Sequence, residues 1–196
     1  LHVGSAVSIE EFRQTLRRSS NLQCFLRFAE HLQFFANMSV RAMGTIGGSI
    51  VACDPLSDLL PPLRVLKCRL VFVSEGPVYR VVDVGSFVDT PKDGRLHPGE
   101  VLLRVVVPLR ERHVLFKKVS KRKTDAQALL SVAFSDDLVC ASGLPGCGPA
   151  VVLDMTSLRQ TLSRGDQFRY RALTALARRF RDDAARGVAV AEQHKI

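Results

Sequence analysis

Arg41-Ala-Met-Gly-Thr-Ile-Gly-Gly-Ser-Ile-Val-Ala-Cys-Asp-Pro-Leu-Ser-Asp-Leu-Leu-Pro-Pro62 is the stretch on which the reading of this chain turns. Gly47-Gly48 lets backbone come close to a ligand, because no Cβ stands in the way. Thr45 and Ser49 flank the pair with hydroxyls, and loop N–H groups would face an anion or carbonyl there. Asp58 follows as an acceptor able to fix a polyol or a ring N–H. Taken alone, the same residues also fit a tight turn leading into a proline-ended helix, and spacing does not separate the two readings.

Working outward, Leu22 to Phe35 carries apolar residues at 22, 25, 26, 29, 32 and 35, a helical stripe that faces a core. His31 on it has no second histidine at metal spacing and reads as an ordinary helix residue. Val3 to Val7 reads as a short strand. Ser8-Ile9-Glu10-Glu11 reads as a capping box that starts a helix through Phe12 and Leu16, closed by Arg17-Arg18-Ser19-Ser20. Arg69 to Ser74 and Val78 to Val84 are β-rich runs joined by Glu75-Gly76-Pro77, a hairpin signature. Asp89 to Pro98 reads as loop, and Val101 to Val107 as a strand ended by Pro108. Leu129 to Phe134 and Leu138 to Ala141 read as paired strands around Asp136-Asp137, followed by the Gly/Pro loop Ser142 to Pro149. From Ser157 the pattern turns helical, with Leu158, Leu162, Phe168, Leu173, Leu176 and Phe180 among arginines. These elements predict an α+β fold: helices packed on a mainly antiparallel sheet, then a smaller C-terminal α+β subdomain.

Composition bounds the function classes. A chain of 196 residues that is 46% hydrophobic and 24% charged is an ordinary globular sequence. It has no apolar run long enough to cross a bilayer. It opens on Leu1 without a signal-peptide pattern, so a processed protein or a piece of a larger one, in the cytoplasm, is expected. The five cysteines, at 24, 53, 68, 140 and 147, form no C-x-x-C pair. Metal or iron–sulfur ligation by this chain is therefore not expected, and reduced buried thiols are. No nucleophile–base arrangement is evident. The net charge of +9 fits a phosphate-bearing cofactor, an acidic partner, nucleic acid or a solvated basic face.

The string T-I-G-G-S-I-x-x-x-D-P-x-S-D-L-x-P resembles the flavin-binding loop of the molybdenum hydroxylases, the family of xanthine dehydrogenases and aldehyde oxidases. Members carry S/T-I-G-G-N-I and then P-x-S-D-L-x-P. The opening Val3 to Phe12 is similar to the segment that closes the family's first flavin-binding subdomain. Leu115 to Ala126, framed by Phe116, Ser120 and Asp125, resembles the segment that opens its C-terminal subdomain. That resemblance places Lys117 on the lysine that contacts the cofactor. Thr124 stands where an acidic residue is often found, which puts any tuning of the electron acceptor by that residue in question.

The resemblance implies FAD as cofactor, held by Phe35, Thr45, Ile46, Gly47, Gly48, Ser49, Asp58, Leu102 and Lys117. Phe35 and Leu102 would line one cleft, with Asp58 and Lys117 meeting there and the N–H groups of Gly47 and Gly48 facing the flavin. It implies residues 1–112 as the FAD-binding domain and 113–196 as a subdomain like the C-terminal domain of the CO dehydrogenase flavoprotein. Molybdopterin and iron–sulfur clusters would sit on other domains or chains, and NAD or oxygen would accept the electrons. The family's first subdomain, whose Gly/Asn loop cradles the pyrophosphate, has no counterpart among these residues. A degenerate homologue serving as a structural or RNA-associated subunit is the alternative that the charge and this missing loop support.

Overall fold

The computed structural model describes residues 1–18, 21–76, 78–122, 125–153 and 167–185. Leu1–Leu153 forms one compact unit and Asp154–Ile196 another. In the first unit, alternating apolar residues pair into two antiparallel sheets. One has the order β1 (His2–Gly4), β4 (Val101–Val106), β2 (Arg69–Val73), β3 (Tyr79–Asp83). The other runs β5 (Val114–Ser120), β6 (Ala128–Ser135), β7 (Val139–Ser142), β8 (Val151–Val152). The expected hairpins form, with Val73 opposite Tyr79 and Phe134 opposite Val139. Gly76 turns the first of them at φ +78°, a conformation glycine adopts without steric cost.

The helices are α1 (Ile9–Arg18), α2 (Gln23–Leu32), α3 (Met38–Met43), α4 (Ile46–Ala52), α5 (Leu60–Val65), α6 (Val84–Asp89) and α7 (Lys92–Arg95). Ser8 Oγ accepts from the Glu11 N–H at 3.1 Å and starts α1. Pro61 and Pro62 stand in the first turn of α5, where a missing N–H costs nothing. Three expectations shift. The first strand stops at Gly4, because Val7 N–H turns back to the Gly4 carbonyl at 3.1 Å. The helix through Leu22 to Phe35 ends at Leu32, because carbonyls beyond it are drawn to Arg41. The segment 89–98 expected as loop contains α7.

Phe12 and Phe28 meet edge to face, centroids 5.6 Å apart, at the centre of a core with Phe25, Ile46, Ile50 and Leu63, all fully buried. Each such side chain contributes about 1.5–3 kcal/mol. Phe28 also packs on Phe116 of β5 at 5.6 Å, and α5 lies across β6 and β7. Two long-range contacts tie helices to segments outside the strands. Glu111 accepts from the Gln23 and Cys24 N–H groups at 2.7 and 3.1 Å, capping α2 from afar. Arg64 pairs with both oxygens of Asp89 and donates to the Ala150 carbonyl at 3.0 Å. The 112/113 junction lies between the two sheets, both within Leu1–Leu153.

In the second unit, α8 (Gln167–Ala185) buries Leu173, Ala177 and Phe180, while Phe168 is exposed. Ser19, Ser20, Pro77, Lys123, Thr124, Ser157, Leu158, Leu162 and the tail beyond Gly187 lie outside the described residues. Among those described, no helix is long and apolar enough to cross a membrane, and no cluster of metal-ligating side chains occurs.

Candidate functional site

A cleft of about 360 Å³ opens where α4, the turn after α2 and the β5–β6 turn converge. Phe35 and Ala36 line it from the turn after α2, Ser49 and Ala52 from α4, and Asp54, Ser57 and Asp58 from the segment before α5. Lys118, Asp125, Ala126 and Gln127 close it from the second sheet.

The polar residues of the D-P-x-S-D stretch divide their work. Asp54 Oδ1 accepts from the Leu56 N–H at 2.7 Å, and Ser57 Oγ accepts from the Leu59 and Leu60 N–H groups at 3.2 Å. Both serve the turn into α5. Asp58 is different. Its Oδ2 takes the Lys118 ammonium at 2.6 Å, with both side chains more than nine-tenths buried. Its Oδ1 is buried and has no hydrogen-bond partner. Its backbone carbonyl accepts from His31 Nε2 at 3.0 Å, which assigns the proton to that nitrogen. Burial pushes the His31 pKa down, so this imidazole is a neutral core group, in line with its reading as an ordinary helix residue.

The Phe35 wall is held by two cations. Arg41, buried, donates Nη1 to the carbonyls of Gln33, Phe35 and Ala36 at 2.9, 3.0 and 3.2 Å. Its Nε meets Glu10 at 2.8 Å, and Lys118 Nζ reaches the Phe34 carbonyl at 2.9 Å. Converging carbonyls bend the chain so sharply that Ala36 adopts φ +46°, a left-handed value costly for alanine. Asn37 then caps α3 by accepting from Val40 N–H at 2.9 Å, and its amide nitrogen donates to Asp125 at 3.2 Å.

Of the residues expected at the cofactor, Phe35, Ser49 and Asp58 line this cleft. The others stand elsewhere. Thr45 is the N-cap of α4, accepting from the Gly48 N–H at 3.0 Å. Ile46 is fully buried, and Leu102 is buried on β4. Gly47 N–H donates to the Ser5 carbonyl at 2.8 Å, so neither glycine N–H is left to face a ligand. A Cβ on Gly47 would lie 2.6 Å from Ser5 Cβ, which makes its lack of a side chain a packing requirement. Gly48 is exposed at the start of α4. Lys117 is the neighbour of the residue that reaches Asp58. Phe116 and Lys118 share the face of β5 turned to α2, and strand alternation gives Lys117 the other. Lys118 was missed, although buried Phe116 two residues before it carried the signal. Arg41 and its carbonyl cluster had no signal in the sequence.

The arrangement offers a half-buried aromatic face, a hydroxyl and an unpartnered carboxylate oxygen around a small concave space. That set fits a planar ring bearing hydroxyl or N–H donors. FAD is such a molecule, and the orphaned Asp58 oxygen is the observation that admits it.

Comparison with known proteins agrees. The family described as "FAD binding domain in molybdopterin dehydrogenase" matches residues 1–110. Xanthine dehydrogenase/oxidase of Mus musculus is 30% identical over 112 residues, 56% of this chain and 8% of that protein. Aldehyde oxidase 1 of Bos taurus is 26% identical over 181 residues, 84% of this chain and 13% of that protein. The chain therefore spans a small part of the curated relatives it matches. Among solved structures, quinoline 2-oxidoreductase from Pseudomonas putida 86 shares the fold at a TM-score of 0.63 and 21% identity, covering 82% of this chain and 61% of that one. A carbon monoxide dehydrogenase from Hydrogenophaga pseudoflava matches at 0.61 and 18%, with the same coverage. With the family pattern running through more than half of its length, this chain belongs to the FAD-binding domains of molybdopterin dehydrogenases.

Proposed function

We propose that this chain forms the flavin-holding part of a molybdenum hydroxylase of the xanthine dehydrogenase or aldehyde oxidase type. In this reading, molybdenum and iron–sulfur centres lie on other domains or chains, and NAD or oxygen is the final acceptor. The observation that carries it is the buried, unpartnered oxygen of Asp58, a residue that lines the cleft with Phe35 and Ser49. Bound FAD would supply the redox chemistry, relaying electrons between donor and acceptor centres. The chain's own residues bind and orient. Asp58 Oδ1 accepts a hydrogen bond from a ribityl hydroxyl or ring N–H, Ser49 offers its hydroxyl, and Phe35 presents an aromatic face. Gly48, exposed just before Ser49, leaves the approach to α4 free of a side chain. Gly47, Ile46 and Leu102 serve the scaffold.

Asp54, Asp58 and Asp125 against Lys118 give the cleft wall an acidic balance. This supports a fit to the hydroxyl- and imide-bearing part of FAD, with the phosphates held elsewhere. The test is the flavin absorbance of the purified full assembly, parent against Asp58→Ala and Phe35→Ala. The expected result is flavin in the parent and loss of most of it in both variants. An assembly without flavin that binds RNA with a steep salt dependence would instead favour an RNA-associated role.

A further inference from the structure

We propose that Lys118 is a positioning residue of the cofactor cleft: it holds the Asp58 carboxyl by Oδ2, which leaves Oδ1 as the acceptor for the ligand, and pins the turn that presents Phe35. The inference rests on the flavin reading above and adds to it a residue of the second sheet.

The ammonium lies 2.6 Å from Asp58 Oδ2 and 2.9 Å from the Phe34 carbonyl, with its side chain 5% exposed. One cation thus bonds Asp58 and the residue immediately before Phe35 at once. The bond to Lys118 is charge-assisted and satisfies one oxygen of the buried Asp58 carboxyl. The groups that face it can be enumerated by element. From α2 comes His31, spent on the Asp58 backbone carbonyl and kept neutral by burial. From the loop before α5 comes Asp54, and from the β5–β6 turn Asp125, both of the same sign as Asp58 and lining the same cleft. From β5 come Lys118 and its neighbour Lys117, which lies close enough to act on His31 electrostatically. Among the described residues, Lys118 makes the hydrogen-bonded ion pair to this carboxylate. By using Oδ2 it fixes the rotamer and leaves Oδ1 for the ligand.

The test is FAD reconstitution of the deflavinated full assembly, with two readouts: FAD affinity by fluorescence and the visible circular dichroism of the bound flavin. Lys118→Met is expected to weaken FAD by about tenfold to a hundredfold, the loss of one charge-assisted hydrogen bond, and to change the circular dichroism of the flavin. Lys118→Arg is expected to restore both. Either readout unchanged in Lys118→Met overturns the inference. Undiminished FAD affinity in Asp58→Asn overturns the flavin reading itself, so the two failures are distinguishable. If Lys118→Met does not fold, Asp58→Asn/Lys118→Met decides. Recovery of the fold shows the lone carboxylate was at fault and supports the pairing, whereas failure of both overturns it.

Discussion

Gly47→Ala should destabilise this protein by about 2 kcal/mol, although alanine is the better helix former. The new Cβ would sit 2.6 Å from Ser5 Cβ and 2.8 Å from the Ser5 carbonyl oxygen, the same oxygen that accepts the Gly47 N–H at 2.8 Å. Backbone on both sides leaves no flexible side chain to yield. Overpacking of this kind costs roughly 1–3 kcal/mol, and weakening the hydrogen bond adds about 0.5–1.5 kcal/mol. Replacing glycine within a helix returns at most about 1 kcal/mol. Gly48→Ala is the control, because its Cβ would meet only Thr45 Oγ1, at 3.0 Å, on an exposed face. There the helix gain and the disturbed cap nearly cancel, within about 1 kcal/mol. Urea unfolding followed by circular dichroism measures both, and for a domain of this size the expected melting shift for Gly47→Ala is about −4 to −8 °C. A Gly47→Ala variant as stable as the parent would refute the view that this glycine exists for the approach of Ser5, just after β1, to α4.

Glu111→Gln should lower stability by about 0.5–2 kcal/mol in the same assay, since it weakens the charged cap on the first N–H groups of α2. Acid sensitivity should centre on Glu10, whose pKa Arg13, with Arg41 behind it, pulls down from 4.5 to about 2 against the opposing effect of burial. Its contribution is complete above pH 4.5 and is lost as pH falls through about 2, so Glu10→Gln should flatten the acid limb of the stability–pH curve. Burial raises the thiols of Cys24, Cys53 and Cys68, and pushes Cys140 up to about 12, whereas Cys147 is partly exposed. Alkylation of the folded chain followed by mass spectrometry should mark Cys147 and spare the other four until denaturant is added.

The α+β class, both hairpins and the apolar face of α2 were legible in the sequence, because local periodicity and turn chemistry generate them. The motif from Thr45 to Pro61 runs along the cleft, which Ser49 and Asp58 of it line, and its D-P-x-S-D residues cap their own turn into α5. What each motif residue does was settled by packing. Gly47 and Gly48 look equivalent in sequence, yet one faces Ser5 and the other solvent. Lys117 and Lys118 are chemically identical neighbours, and alternation says only that they point apart. Which of them reaches Asp58, 60 residues away, depends on Phe116 packing against Phe28 and His31, a contact between elements that no local pattern encodes.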